Sequence, residues 1–326
     1  MIVQTPLTPG QGTVLGGLGV LAAGGLAYYG THRTRVSNEF IADKTRLHAA
    51  AELEHEQRKA ERTEKREQER AFRSRFTASA AQLADPAPTI RLAGVFSLIS
   101  LADDWDDFGN TDERGVCVEM LRSYLLSPQT RPAPDDEEAA PFLAVRSQIA
   151  RGLHARATRN SGSKGSWRSH TPLLSAAQLA YVDLTNADLI RANLAHATLM
   201  GAKLSDAKLK GADLSFADLT NAAFTFAKLM RADLSFAKLT GADLSFANLA
   251  GADLHDAKLM GADLGCADLA GAKLTDADLT GADLSSATLT GADLTDADLT
   301  DVEFDNDTVW PDGTHTPPSN DLIGEP

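Results

Sequence analysis

The 326-residue chain predicts a mainly β fold, a solenoid of stacked coils filled by leucine and preceded by helices. Three observations predict it. From Leu184 to Phe304 a leucine or phenylalanine recurs at every fifth residue, through 25 units. Alanine stands two positions earlier in every unit from Ala187 to Ala297, with Val182 and Val302 at the two ends. Upstream of these units, apolar residues recur at helical spacing instead.

Composition narrows the function classes. The chain holds 31 Lys+Arg against 45 Asp+Glu, a formal charge of −14. Such a chain is a poor direct nucleic-acid binder, because that task needs clustered Lys and Arg to displace phosphate counterions. Cys117 and Cys266 can build neither a disulfide scaffold nor a four-thiolate zinc site, and they fit a reducing compartment. The charge is also uneven. Every Lys and Arg lies at or before Lys273, and the last 53 residues carry 13 acids and no base.

Residues 1–11 form an N-terminal tail, and 12–31 read as a transmembrane anchor that meets the membrane through residues 14–29. The stretch 12–30 has no charge, and at ~1.5 Å per residue it just spans a hydrocarbon core. His32, Arg33 and Arg35 follow it at once, whereas a secretory signal carries its positive charge in front. The positive-inside rule then sets the N-terminus outside and everything after Thr31 in the cytoplasm, a single-pass protein of the cytoplasmic membrane. Gly12/Gly16 and Gly19/Ala23/Ala27 give the small-residue spacing of close helix contacts, which admits a homodimer. A flexible Gly-rich N-terminus is the alternative.

Residues 32–75 predict one charge-dense helix, a stalk with Glu54→Arg58, Glu61→Lys65 and Glu69→Arg73 in the favourable i,i+4 order. Val36, Phe40, Leu47 and Leu53 make only a partial stripe, so a short coiled coil is the rival reading. Residues 76–160 predict a small helical domain with helices at Ile90–Trp105, Arg114–Ser127 and Phe142–Arg159. Cys117 and Met120 fall on an apolar face and read as core. Asp103, Asp104, Asp106 and Asp107 read as an acidic helix end; their spacing does not match a calcium loop. Residues 161–181 make a linker and the solenoid's N-terminal cap.

The repeat fills 182–307. Neither a 3.6 nor a 2.0 period divides into five, so neither helix nor flat strand explains it. A chain that bends once per unit points the same two side chains inward each time. If four bends close a turn, 20 residues make a coil, and coils stack at ~4.8 Å. Leucine fills the interior, alanine fits the tight corner, and the remaining positions are free to be polar.

Units such as Ala212-Asp213-Leu214-Ser215-Phe216 follow the pattern A(D/N)LxX, and the sequence resembles the pentapeptide-repeat family over about 173–306. The resemblance implies a right-handed quadrilateral β-helix. The upstream segments resemble a membrane-anchored architecture found chiefly in actinobacteria, whose function is generally unassigned. Residues 308–326 predict a C-terminal cap and disordered tail, with Trp310 plugging the open end of the core.

Folded at 20 residues per coil, one outward column reads Asp183, Lys203, Ala223, Asp243, Asp263, Asp283, Glu303. Its last four acids, Asp243, Asp263, Asp283 and Glu303, favour a basic protein partner. Phe216 falls above Phe236, and Phe226 above Phe246, on opposite sides of the coil. These are either intra-solenoid ladders or contact patches for another protein. No P-loop, HExxH, GxSxG or CxxC occurs, and a leucine-filled solenoid offers no pocket to desolvate a catalytic acid. The expectation is therefore a non-enzymatic, membrane-tethered interaction scaffold that needs no cofactor, metal or direct nucleic-acid contact. The alternative comes from the resemblance: some members of the family mimic B-DNA and bind DNA gyrase. Here nine basic residues in the solenoid, the last of them Lys273, interrupt the acidic columns, and the base-free part covers less than two coils.

Overall fold

The computed structural model describes residues 9–127, 139–157 and 174–316, with side chains from residue 25 onward. The predicted N-terminal tail, the linker before the solenoid and the end of the predicted C-terminal tail lie wholly or partly outside them. The chain divides into two units, Met1–Ala71 and Phe72–Pro326.

Helix α1 (Pro9–Leu83) accounts for all the described structure of the first unit. Every side chain described from 25 to 68 is exposed, in keeping with a sequence whose charges surround the helix. The Glu54–Arg58 pair forms at 3.2 Å, while Arg73 reaches Glu113 at 3.1 Å. Among the described residues no helix is long and apolar enough to cross a membrane. The backbone of the predicted anchor over 12–31 is helical, but its side chains are described only from Gly25. From there His32, Arg33 and Arg35 end the apolar run, so the structure does not support a transmembrane helix in the described part.

In the second unit the end of α1 packs with α2 (Pro88–Asp107), α3 (Thr111–Leu126) and α4 (Ala140–Ala157). Phe72 meets Trp105 and Phe108 edge to face at 4.8 and 5.7 Å, over a core of Leu98, Leu101, Leu121, Leu125, Ile149 and Leu153. Gly94 lets α2 approach α1, since a Cβ there would lie 2.7 Å from the Leu83 nitrogen. Cys117 is buried, and that burial pushes its thiol up to about 12, the state of a core residue. The acidic helix end is tied down by arginines: Asp103 binds Arg156, Asp104 binds Arg75, and Asp106 binds Arg114.

The solenoid follows from the five-residue unit. From Ala187 to Leu289 the central leucine or phenylalanine and the alanine two before it are buried in each unit, while Leu294 is partly buried and Phe304 39% exposed at the C-terminal end. The leucine carbonyl accepts from the next alanine N–H, as Leu184 does from Ala187 at 2.9 Å, closing a tight turn. The third residue of that turn has positive φ, 57° at Asn186, the type II signature. Four turns complete a coil, and parallel bridges join residues 20 apart, from Gln178↔Thr198 to Asp283↔Glu303. The acid before the leucine has a local task. Asp213 Oδ1 accepts from the Ser215 N–H at 3.1 Å and hydroxyl at 2.6 Å, so an A-D-L-S/T unit closes its own loop.

Both ends are covered. At the N-terminal edge the Gln178 N–H donates to the Leu125 carbonyl at 2.8 Å, and Arg146 donates to the carbonyls of Leu125, Ser127 and Gln178. Arg151 bonds the Asp183 and Thr185 carbonyls. The helices thus supply the partners that a bare sheet edge lacks.

At the C-terminal end the register shifts by one residue, with Thr288 bridging Val309 rather than residue 308. Trp310 then drops into the leucine slot, 1% exposed, with Phe304 edge-on at 5.5 Å. The Asp305 carboxylate accepts from the Ser286 hydroxyl and N–H and from the Thr308 hydroxyl, and these bonds hold it down at about 2, below its ordinary 3.8. A depressed folded value stabilises the fold above pH 3.8, and that stabilisation is lost as pH falls towards about 2. Asp305→Asn should therefore flatten the acid limb of a plot of Tm against pH over that window, as read by circular dichroism. An unchanged limb would refute this role for Asp305.

Candidate interaction surface

Regular coils turn single residues into ladders. The predicted acidic column is continuous, Asp243↔Asp263↔Asp283↔Glu303. Burial raises the Asp243 carboxyl, but the Ser245 and Thr225 hydroxyls and the Ser245 N–H outweigh it and hold it below the usual range. A second acidic ladder, Asp213↔Asp233↔Asp253, is met by Lys273, whose Nζ lies 2.9 Å from Asp253.

The four predicted phenylalanines occupy two opposite corners. Phe216 and Phe236 stack at 4.7 Å with 4° between planes, extended by His196 above Phe216 and His255 at the edge of Phe236. Phe226 and Phe246 stack at 4.9 Å and 22°. Exposure of these four rings runs from 43 to 54%. All four sit at φ between 58 and 60°, a left-handed conformation costing a side-chain-bearing residue ~1–2 kcal/mol relative to the right-handed one. Most other corners fill the same position with Gly, Asn or Asp, which adopt it readily, but Ala176, Tyr181, Arg191, His196, Arg231, Cys266 and Ser286 take it too. Both ladders therefore form as the intra-solenoid reading has them, and both also stand out to solvent.

The second unit has a cleft of about 680 Å³ between α4 and the first coils, whose charged groups are Asp183 and Lys203. The Thr185 N–H holds the Asp183 carboxyl below the usual range, so it is ionised and is not a general acid at neutral pH. No group of three or more His, Cys, Asp or Glu able to hold a metal occurs among the described residues.

Sequence reading missed Arg146, Arg151 and Asp305. Arg146 and Arg151 bond mainly backbone carbonyls, and Asp305 the Ser286 N–H together with the Ser286 and Thr308 hydroxyls, pairings at the solenoid's ends that no repeat pattern encodes. It also passed over the gathering of Lys203, Lys208 and Lys228 beside the Phe226 corner. Folding the lysines into the same 20-residue columns would have found it.

A family model described as Pentapeptide repeats matches at 173–206, 199–235, 227–265 and 262–301. No curated protein matches the chain. Among solved structures, HetL, a pentapeptide repeat protein involved in heterocyst differentiation regulation from the cyanobacterium Nostoc sp. strain PCC 7120, is 37% identical. That match covers 43% of this chain and 73% of HetL, with a TM-score of 0.31. A second pentapeptide repeat protein of Nostoc PCC 7120 is 44% identical over 27% of this chain and 73% of its own, with a TM-score of 0.27. One from the Arabidopsis thaliana thylakoid lumen is 33% identical over 35% and 68%, with a TM-score of 0.16.

Proposed function

Because the chain belongs to the pentapeptide-repeat family, whose solenoid is a right-handed β-helix, we propose that it is a non-enzymatic interaction scaffold. It presents side-chain ladders to a basic protein partner. Residues 14–29 tether it to the cytoplasmic membrane with the solenoid in the cytoplasm, and the charged helix serves as a spacer. The observation that carries the reading is the set of four half-exposed phenylalanines held at positive φ. Stacked in pairs on two corners, these rings present apolar surface that a protein partner can cover. The acidic ladder Asp243–Glu303 supplies the charge preference.

Two measurements test this. Full-length protein should pellet with membranes after detergent-free lysis, and its recovery in the soluble fraction would overturn the tether. Cross-linking in cells, followed by capture of the full chain, should yield adducts that fall at least several-fold with Phe216→Asn and Phe236→Asn together. Unchanged adduct yield would sink the contact reading. Salt-sensitive recovery of DNA gyrase would replace the scaffold by the DNA-mimic alternative, for which the 13 acids and no base after Lys273 speak.

A further inference from the structure

The corner of the β-helix that carries Phe226 and Phe246 lies between two ladders. One reads Lys203↔Ala223↔Asp243↔Asp263, the other Lys208↔Lys228↔Asn248↔Asp268. Within these four rungs both run from basic to acidic, with the two phenylalanines at their centre; one rung earlier stand Asp183 and Asp188, the latter 3.6 Å from Lys208. We propose that two copies of the chain associate side by side and antiparallel across this corner, about a two-fold axis centred between Phe226 and Phe246. The proposal deepens the scaffold reading by naming a second copy as the occupant of one aromatic corner.

The charges select this arrangement. Both copies have the same rise, ~4.8 Å per coil, so opposed ladders stay in step along their length. Reversing one copy about Phe226 and Phe246 sets Lys203 against Asp263 of the second copy and Lys208 against Asp268. Ala223 then faces Asp243, and Lys228 faces Asn248; one rung further out Asp183 faces Asp283, the single like-charge opposition along these two ladders among the described residues. Each contact occurs twice by symmetry, and the four phenylalanine rings meet in the centre. A parallel pairing would instead put Lys203 beside Lys208 and Asp263 beside Asp268, which repel. The Phe216 corner lacks this property. There an antiparallel copy would oppose Asp213 to Asp233, both in the ladder Asn193↔Asp213↔Asp233↔Asp253. A two-fold contact of this kind also closes on itself, giving a dimer and not a filament.

The sequence carries a probe for the register. Cys266 is exposed at the same corner, two rungs from Phe226, and Cys117 is buried. In the antiparallel dimer Cys266 faces Asp206 of the second copy. Within one chain these positions are three coils apart, ~14 Å, beyond the ~7 Å limit for a disulfide. The two Cys266 side chains of the dimer are separated by the same three coils.

Purified full-length Asp206→Cys protein in mild non-ionic detergent, oxidised with copper phenanthroline at low salt, should run as a covalent dimer on a non-reducing gel. The natural sequence should not. Adding Phe226→Asn and Phe246→Asn should cut the yield at least tenfold with Tm unchanged or higher, because Asn accepts positive φ. Lys208→Asp should also lower the yield, and Lys208→Asp with Asp268→Lys should restore it. Three results would each overturn the proposal: no dimer from Asp206→Cys, equal cross-linking of the natural sequence through Cys266, or no recovery on the charge swap. Any of them would leave the membrane and Phe216/Phe236 tests above intact.

Discussion

Replacing Trp310 with alanine should lower the unfolding free energy by about 3–5 kcal/mol, the range for truncating a buried tryptophan. Trp310 is 1% exposed and occupies the last leucine slot, where no further coil can stack. Its removal opens the end of the core to water next to Phe304, already 39% exposed. Solenoid coils interact mainly with their neighbours, so the damage should stay near the end. Native-state hydrogen exchange should quicken at amides from about 284 to 310 and stay slow around Leu204–Leu244. Trp310→Phe, which keeps a ring in the slot, should cost much less. Uniform acceleration along the solenoid would show that Trp310 is not an end plug.

Arg146→Ala should cost about 3 kcal/mol, the scale for orphaning groups that bond a buried charge. Arg146 is 6% exposed, and burial lowers its guanidinium below the ordinary range. It donates to Leu125 at 3.1 Å, Gln178 at 2.9 Å and Ser127 at 3.1 Å, and it lies 5.3 Å from the centre of the Tyr124 ring. One planar fork thus joins two helices to the first coil. Arg146→Lys should rescue little, because an ammonium cannot match that fork. Differential scanning calorimetry should show the helices melting ahead of the solenoid in the alanine variant and together with it in the natural protein. A single unshifted transition would refute the coupling.

The three short helices and the solenoid were readable for one reason, that each buried position recurs at a fixed period; the end of the charged helix was not, for α1 runs on past residue 75 to Leu83. Leu98, Leu121 and Leu153 follow helical spacing, and every fifth residue from Leu184 follows the coil. The acidic ladder and both phenylalanine pairs were readable too, once the chain was folded at 20 residues. Positive φ at the phenylalanines was not, because sequence shows that a turn exists but not which residue carries its left-handed step. The acids at 103–107 were ambiguous for a similar reason. Their partners Arg156, Arg75 and Arg114 come from three other helices, up to 53 residues away.

By itself the sequence determined the repeat, its buried leucine and alanine, the uneven charge and the identity of the plugging tryptophan. Those depend on local period and composition, which the chain states directly. The tertiary structure alone decided how the ends are covered and which charges become neighbours. The one-residue shift that seats Trp310, the Asp305 hub and the Arg146 fork all satisfy backbone groups at edges, and only the folded chain has edges. The pairing of Lys208 with Asp188 at 3.6 Å is likewise a property of stacking, since those residues lie one coil apart.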